Sequence, residues 1–168
     1  MENEFVSAVQ LRDTVLPADA AAVRDIVAST GFFHPPEIDV AVELVQEHLS
    51  RGSASGYLFL FAEHAGRVVG YTCYGPIACT VGSFDLYWIA VHHDHRGRGL
   101  GRYLLAATEE RIARAAGRQV YIETSGRAQY APTQHFYEAC GYTRAAVLAD
   151  FYAPGDDKII YAKALPSL

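Results

Sequence analysis

A glycine-rich segment that carries three arginines is the part of the sequence best suited to bind a small polyanion. Residues 95–101 read HRGRGLG, and Arg96, Arg98 and Arg102 stand close together in a chain whose formal net charge is −5. Glycines let a backbone approach a ligand closely with its N–H groups exposed. A helix is predicted to follow, and its first turn adds partial positive charge. We therefore predict a phosphate-binding loop.

Two nucleotide-binding motifs fail on spacing. A P-loop needs GxxxxGK[ST], and no lysine follows these glycines; a dinucleotide fingerprint needs glycine where Arg102 stands. The acidic net charge disfavours nucleic acid as a partner, because binding its phosphates requires a broad basic surface. A tight turn with a purely structural role is the alternative for this segment.

Two motifs carry a family resemblance. Arg96, Gly99 and Gly101 fit the pattern [Q/R]-x-x-G-x-[G/A] directly after the apolar residues 89–91. At this point the sequence resembles the GNAT superfamily of N-acetyltransferases. Residues 133–142, TQHFYEACGY, resemble the FYxxxGF/Y helix of the same family. The resemblance is strong over residues 84–142, although Tyr130 stands where the family often has an asparagine.

The resemblance implies a fold, a reaction and a coenzyme site. The fold is a single α/β domain over residues 1–168, with a mixed, mostly antiparallel sheet flanked by helices and splayed where acetyl-CoA enters. The reaction is direct acetyl transfer from acetyl-CoA to a primary amine of a small molecule. The alternatives are a non-catalytic acetyl-CoA-binding module, or acetylation of a protein N-terminus or lysine. The residues implied in coenzyme binding are Ile89, Ala90, Val91, Arg96, Gly97, Arg98, Gly99, Leu100, Gly101, Arg102, Thr133 and Tyr137.

Acetyl transfer to an amine needs a base and an acid. An alkylammonium has a pKa near ~10.4, so a base must help to remove its proton at neutral pH. The candidate bases are Asp85 and Glu123, which lie on two predicted strands. A chain of water molecules could carry the proton to either carboxylate. The alternative for Glu123 is a surface residue paired with an arginine. The resemblance makes Tyr137 the candidate acid, and a core aromatic is the alternative for it.

The acceptor has no decodable signature. Aromatic rings suit an amine by flat contact and cation–π attraction. The candidates for acceptor contacts are Phe32, Phe33, His34, Tyr71, Trp88 and Tyr130, with Tyr74 and Tyr152 as further aromatics. By resemblance, the loop at residues 32–36 and the helix after it cover the acceptor. His92, His93 and His95 lie on one short loop, and we predict no metal site there because further ligands are lacking.

Strands and helices alternate in a way that positions these residues. Apolar spacing and breakers predict strands at 9–15, 57–63, 68–74, 84–91, 120–124, 142–151 and 159–164, with helices at 20–30, 37–50, 100–117 and 132–140. The paired prolines at 35 and 36 predict a loop, and residues 154–157 predict a turn.

Composition predicts a soluble, cytoplasmic protein. The sequence has no run of about 18 apolar residues that could span a bilayer, and its acidic start does not resemble a signal peptide. Cys73, Cys79 and Cys140 have neither metal-type spacing nor an even count, so we expect reduced thiols. Membrane partners are not expected, and a homodimer is possible by resemblance.

Overall fold

The computed structural model describes residues 4–166. The helices are α1 (Glu4–Ser7), α2 (Asp19–Ser29), α3 (Pro35–Arg51), α4 (Leu100–Arg114) and α5 (Ala131–Ala139). The strands are β1 (Gln10–Arg12), β2 (Leu58–His64), β3 (Arg67–Pro76), β4 (Ser83–Val91), β5 (Gln119–Ser125), β6 (Thr143–Ala153) and β7 (Asp156–Ala164). Within this range, no helix is long and apolar enough to cross a membrane.

The strands form one mixed sheet of seven in the order β1-β2-β3-β4-β5-β7-β6. β1–β2, β2–β3, β5–β7 and β6–β7 pair antiparallel, whereas β4 and β5 run parallel. The parallel register aligns Ser83–Leu86 with Gln119–Ile122. Both strands continue beyond this register, β4 to Val91 and β5 to Ser125. The α/β class with a mixed sheet is therefore confirmed, and the splay at the acetyl-CoA cleft stays a prediction.

The predicted element order is confirmed, with two boundaries corrected and one short helix added. Pro35 and Pro36 form the first turn of α3 rather than a loop, because a first-turn position needs no N–H for helix bonding. The predicted turn at 154–157 is shorter, since Asp156 already begins β7. The short helix α1 was not predicted. The extent of the domain over 1–168 stays a prediction.

The described residues divide into two compact units. The first contains the described chain up to Gly75 together with Trp88–Glu110. Its core forms because α2 and α3 each carry an apolar stripe, and alternate residues of β2 and β3 face these helices. The buried side chains of this core include Val23, Ile26, Val27, Val42, Val45, Phe59, Phe61, Tyr71 and Cys73. Fully burying one such side chain contributes about 1.5–3 kcal/mol.

The second unit contains Pro76–Tyr87 and the chain from Arg111 onward. β5 alternates as its sequence predicts: Val120, Ile122 and Thr124 are buried, and Glu123 between them is exposed. An aromatic cluster of Tyr137, Tyr142 and Tyr161 joins α5 to β7, with ring centroids 5.7–6.1 Å from that of Tyr137. The face of β5 that carries Glu123 is thus left open for polar chemistry.

Candidate active site

The predicted phosphate loop connects β4 to α4. A short 3₁₀ turn at His93–His95 follows the strand, and α4 begins at Leu100. Gly97 and Gly99 have φ of 70° and 80°, a left-handed conformation that favours glycine at both positions. The loop is exposed from residue 96 to 99, whereas the Leu100 side chain is only 1% exposed. The first amides of α4 have no acceptor within the helix, so they can bind an anion.

Packing against β3 fixes where α4 begins. A β-carbon on Gly70 would lie 3.0 Å from Leu104 Cδ1 and 3.4 Å from Leu100 Cδ2. The missing side chain therefore lets the first turns of α4 sit directly on the strand. One turn later, the hydroxyls of Thr72 and Thr108 share a buried hydrogen bond of 2.8 Å. The start of the helix, and with it the phosphate loop, is tied to the middle of β3.

Two arginines of the loop stack on aromatic rings from distant parts of the sequence. The Arg96 guanidinium lies 5.4 Å from the centre of the Phe32 ring, and that of Arg98 lies 5.0 Å from the Phe5 ring. Arg102 is exposed in the first turn of α4. Such stacking holds the cations without neutralising them. Phe32, a candidate for acceptor contact, lies against the phosphate loop.

The histidines before the loop contact one another and α1. The His95 ring lies 5.4 Å from the Phe5 ring, 6.0 Å from that of His64 and 6.0 Å from that of His92. Burial lowers the pKa of His95, and the nearby charge of Arg98 lowers it further. Within residues 4–166, no group of three or more His, Cys, Asp or Glu side chains could hold a metal ion. The absence of a metal site stays a prediction.

The other aromatic candidates divide between the surface and the core. Phe33 and Trp88 contact each other at 5.0 Å between ring centroids and are partly buried against the first core. His34 is exposed directly before α3, where its N–H donates to the Glu37 carboxylate at 2.8 Å. Tyr71 is 0% exposed in the centre of the core. Its prediction as an acceptor contact is therefore wrong, because β3 is buried on both faces.

Tyr137 lies in the second unit, on α5. It is 6% exposed, and its ring packs 5.5 Å from that of Phe136 as well as against the other two tyrosines of its cluster. Burial raises the pKa of Tyr137, with smaller contributions from Cys140 and Tyr161. The hydroxyl therefore keeps its proton at neutral pH, as a proton donor must. Thr133 is half-buried one turn earlier on the same helix face.

Asp85 and Glu123 share one face of the second unit. The parallel register places Asp85 opposite Tyr121, and Glu123 follows two residues later on the same side of β5. Burial raises the pKa of Asp85, and the Glu123 charge raises it further, whereas Lys158 lowers it. Glu123 Oε2 lies 2.7 Å from Lys158 Nζ. The partner of Glu123 is thus a lysine that the sequence analysis did not single out.

Tyr130 borders the same group of charges. The Arg127 guanidinium lies 5.7 Å from the centre of the Tyr130 ring and pairs with Asp156 at 3.1 Å. Burial raises the pKa of the neighbouring Tyr152, and Glu123, Asp156 and Tyr130 raise it further. The exposed ring of Tyr152 thus lies near two carboxylates, those of Glu123 and Asp156. This combination suits an amine.

The three cysteines are free thiols in different settings. Cys73 is buried in the first core, and burial raises the pKa of its thiol. Cys140 is partly buried after α5, whereas Cys79 is exposed in the β3–β4 connection. A thiol is a nucleophile only as the thiolate, so Cys73 is inert at neutral pH.

Comparisons with known proteins agree with one another. Residues 55–144 match the family model of the acetyltransferase (GNAT) domain. An uncharacterized N-acetyltransferase of Methanocaldococcus jannaschii is 32% identical over 114 residues, which are 65% of this chain and 67% of that protein. A crystal structure from Desulfovibrio desulfuricans, described as a GNAT-family acetyltransferase, is 52% identical, covers 95% of this chain and 100% of that one, and has a TM-score of 0.93.

A more distant structure shares the fold. It is an aminoglycoside 6'-N-acetyltransferase in complex with coenzyme A, with 20% identity, 95% coverage of this chain, 98% of that one and a TM-score of 0.75.

Proposed function

The chain belongs to the GNAT family of acetyltransferases, and on this basis we propose that it acetylates a primary amine of a small molecule by direct attack on acetyl-CoA. It is an N-acetyltransferase, and acetyl-CoA is its acetyl donor. The observation that carries the proposal is the exposed, arginine-rich loop at the start of α4, which has the charge and the free amides that a pyrophosphate group requires.

The loop after β4 has the properties that a pyrophosphate group requires. Gly97 and Gly99 present their amides on an exposed turn, and the N-terminus of α4 adds its partial charge. Arg96, Arg98 and Arg102 supply full charge. Residues Ile89–Val91 follow the part of β4 that pairs with β5, and their backbone groups would bind the pantetheine arm. The chain thus offers both charge and hydrogen-bond donors to the donor substrate.

The proposed chemistry assigns separate proton-transfer roles to the two kinds of side chain. Glu123 or Asp85, directly or through water, takes a proton from the acceptor ammonium. The neutral amine then attacks the thioester carbonyl carbon, a C–N bond forms, and the C–S bond breaks. Tyr137 donates a proton to the leaving thiolate. A backbone amide near Ile89 would polarise the carbonyl.

Direct attack needs no acetylated enzyme. Cys73 is buried and its pKa is raised, which removes it as a nucleophile. Cys140 lies close enough to Tyr137 to raise the pKa of its hydroxyl, because a thiolate and a tyrosinate would repel each other. We therefore expect no stable acetyl-cysteine to accumulate during turnover.

The acceptor we propose is a cationic or neutral amine rather than an anionic one. Glu123 and Asp156 lie near the exposed ring of Tyr152, and a carboxylate beside a ring attracts an ammonium by both charge and cation–π contact. Charge and ring contact act alike on a small amine and on a protein N-terminus, so the peptide in the panel below distinguishes the two. The cytoplasmic location stays a prediction of the sequence.

We also propose a homodimer that forms through β6. This strand lies at the edge of the sheet and presents the exposed apolar side chains of Val147, Leu148 and Phe151. Among residues 4–166 no further strand pairs with its outer edge, and antiparallel pairing with the same strand of a second copy would satisfy the regular part of that edge. Sedimentation should give the mass of a dimer, and Val147→Lys should shift it to the monomer.

The test of the proposed function is thiol release from acetyl-CoA with a panel of amines, coupled to mass spectrometry of the products. The panel should contain diamines, amino sugars, amino acids and a peptide with a free N-terminus. We expect one class of small amine to be turned over with one acetyl group gained per thiol released. Acetylation of the peptide alone would contradict the small-molecule assignment. Coenzyme binding without any product would support a non-catalytic binding module instead.

A further inference from the structure

Lysine is rare in this chain, and one of its lysines touches a candidate base. The sequence contains only Lys158 and Lys163, against twelve arginines. Lys158 Nζ lies 2.7 Å from Glu123 Oε2 and 3.8 Å above the centre of the Phe151 ring. The amine that Glu123 holds in this structure is therefore the chain's own.

We infer that Lys158 is an internal acetyl acceptor, so that the enzyme acetylates itself when no external amine competes. The inference rests on the proposed function, because it requires Glu123 to act as the base. Glu123 takes a proton from the Lys158 ammonium, and the neutral Nζ attacks the thioester carbonyl carbon of acetyl-CoA. The new C–N bond is an amide, and the C–S bond breaks. The nitrogen releases its second proton, and the thiolate leaves as the thiol after taking up one proton.

The surroundings of Lys158 suit an amine that is held but still reachable. Its side chain is 12% exposed, and that of Glu123 is 49% exposed, so the pair lies at the surface of the second unit. The ring of Tyr152 lies 5.8 Å from the ammonium and 5.1 Å from the Phe151 ring. Asp85 interacts with both members of the pair electrostatically. The charged groups around Nζ are thus the two carboxylates that were assigned to the base role.

Acetylation would change the site as well as mark it. An acetylated Lys158 carries no charge, so it would release Glu123 from the ion pair and lose its attraction to the Phe151 ring. The same loss would remove the group that lowers the pKa of Asp85. The Glu123 carboxylate would then be available to an external ammonium, whereas Asp85 would hold its proton more strongly. Self-acetylation would therefore raise the affinity of the enzyme for a cationic acceptor.

Lys163 provides a matched control on the same strand. Its Nζ donates a hydrogen bond to the Cys140 carbonyl oxygen at 2.9 Å and lies 5.4 Å from the Tyr142 ring. Like Lys158, it is a partly buried lysine near an aromatic ring. A carbonyl oxygen does not take up the proton of an ammonium, so this contact provides no base.

The experiment incubates the purified full-length protein with isotopically labelled acetyl-CoA and no external amine, and then quantifies label at each lysine by peptide mass spectrometry. A general base contributes ~10²- to 10⁴-fold in rate, so we expect label at Lys158 to appear at least ~10²-fold faster than at Lys163. The rate should not depend on protein concentration. Glu123→Gln should abolish the difference, and Lys163→Arg should leave it unchanged.

Equal labelling of the two lysines, or full labelling of Lys158 in the Glu123→Gln variant, would overturn the inference, because either would indicate uncatalysed chemistry. Parallel reactions with the whole amine panel separate the two claims. If a panel amine is acetylated while Lys158 stays unlabelled, the internal acceptor is wrong and the proposed function stands. If neither a panel amine nor Lys158 is labelled, the proposed function fails as well.

Discussion

Replacing Tyr137 with phenylalanine removes the proposed acid while keeping its ring. The ring is buried against three other aromatic rings, those of Phe136, Tyr142 and Tyr161, and phenylalanine preserves all of these contacts. Loss of one hydroxyl changes the free energy of unfolding by about 1 kcal/mol. The variant should therefore fold and bind acetyl-CoA with nearly the affinity of the wild type.

The rate should respond far more strongly than the stability. A positioned acid contributes ~10²- to 10⁴-fold, which corresponds to about 2.7–5.4 kcal/mol of transition-state stabilisation. Because the pKa of Tyr137 is raised by burial, its hydroxyl stays protonated throughout the neutral range. The wild-type rate should thus show no loss from its ionisation below a pH near ~10.

The assay is steady-state thiol release with the active amine, together with calorimetric titration of acetyl-CoA. Tyr142→Phe is the matched control, because it removes a hydroxyl from a buried ring of the same cluster. We expect kcat to fall at least ~10²-fold in Tyr137→Phe and by less than about threefold in Tyr142→Phe. Equal rates in the two variants, at unchanged coenzyme affinity, would refute the assignment of Tyr137 as the acid.

Three other substitutions test single contacts. Gly70→Ala should lower the free energy of unfolding by about 1–3 kcal/mol in urea melts, because a β-carbon there would overpack the first turns of α4. An unchanged urea midpoint would contradict the tight packing. In Glu123→Gln, the acidic limb of the pH profile of the remaining kcat/KM should move to lower pH, because the Glu123 charge adds to burial in raising the pKa of Asp85. A limb that stays in place would exclude Asp85 as the titrating base. Arg98→Ala should weaken acetyl-CoA binding by about tenfold in low-salt calorimetry, because one charged phosphate contact is lost. The exposed Arg51→Ala serves as its control.

The sequence predicted the parts of the fold that depend on local patterns. Apolar spacing in α4, alternation in β5 and the glycines of the phosphate loop are each read within a few residues, and all lie where they were predicted. The paired prolines were misread because proline breaks a helix interior but fits a helix start. The difference depends on where the helix begins, which spacing alone did not reveal.

Long-range contacts explain most of what the sequence did not predict in the candidate site. The pairing of Lys158 with Glu123 depends on the register between β5 and β7, which no local pattern encodes. The stacking of Phe5 and Phe32 on loop arginines likewise joins segments far apart in the chain. Tyr71 was assigned to the acceptor because aromatic rings suit an amine by flat contact and cation–π attraction. Burial on both faces of β3 decides its position.

Direct titration of acetyl-CoA into the purified protein tests the central claim most immediately, because it needs no knowledge of the acceptor. We expect saturable binding with one coenzyme per chain, weakened by added salt and by removal of the phosphate-loop arginines. Coenzyme A should compete for the same site. An absence of heat and of competition at millimolar coenzyme would contradict the account, since the loop after β4 would then have no phosphate ligand to hold.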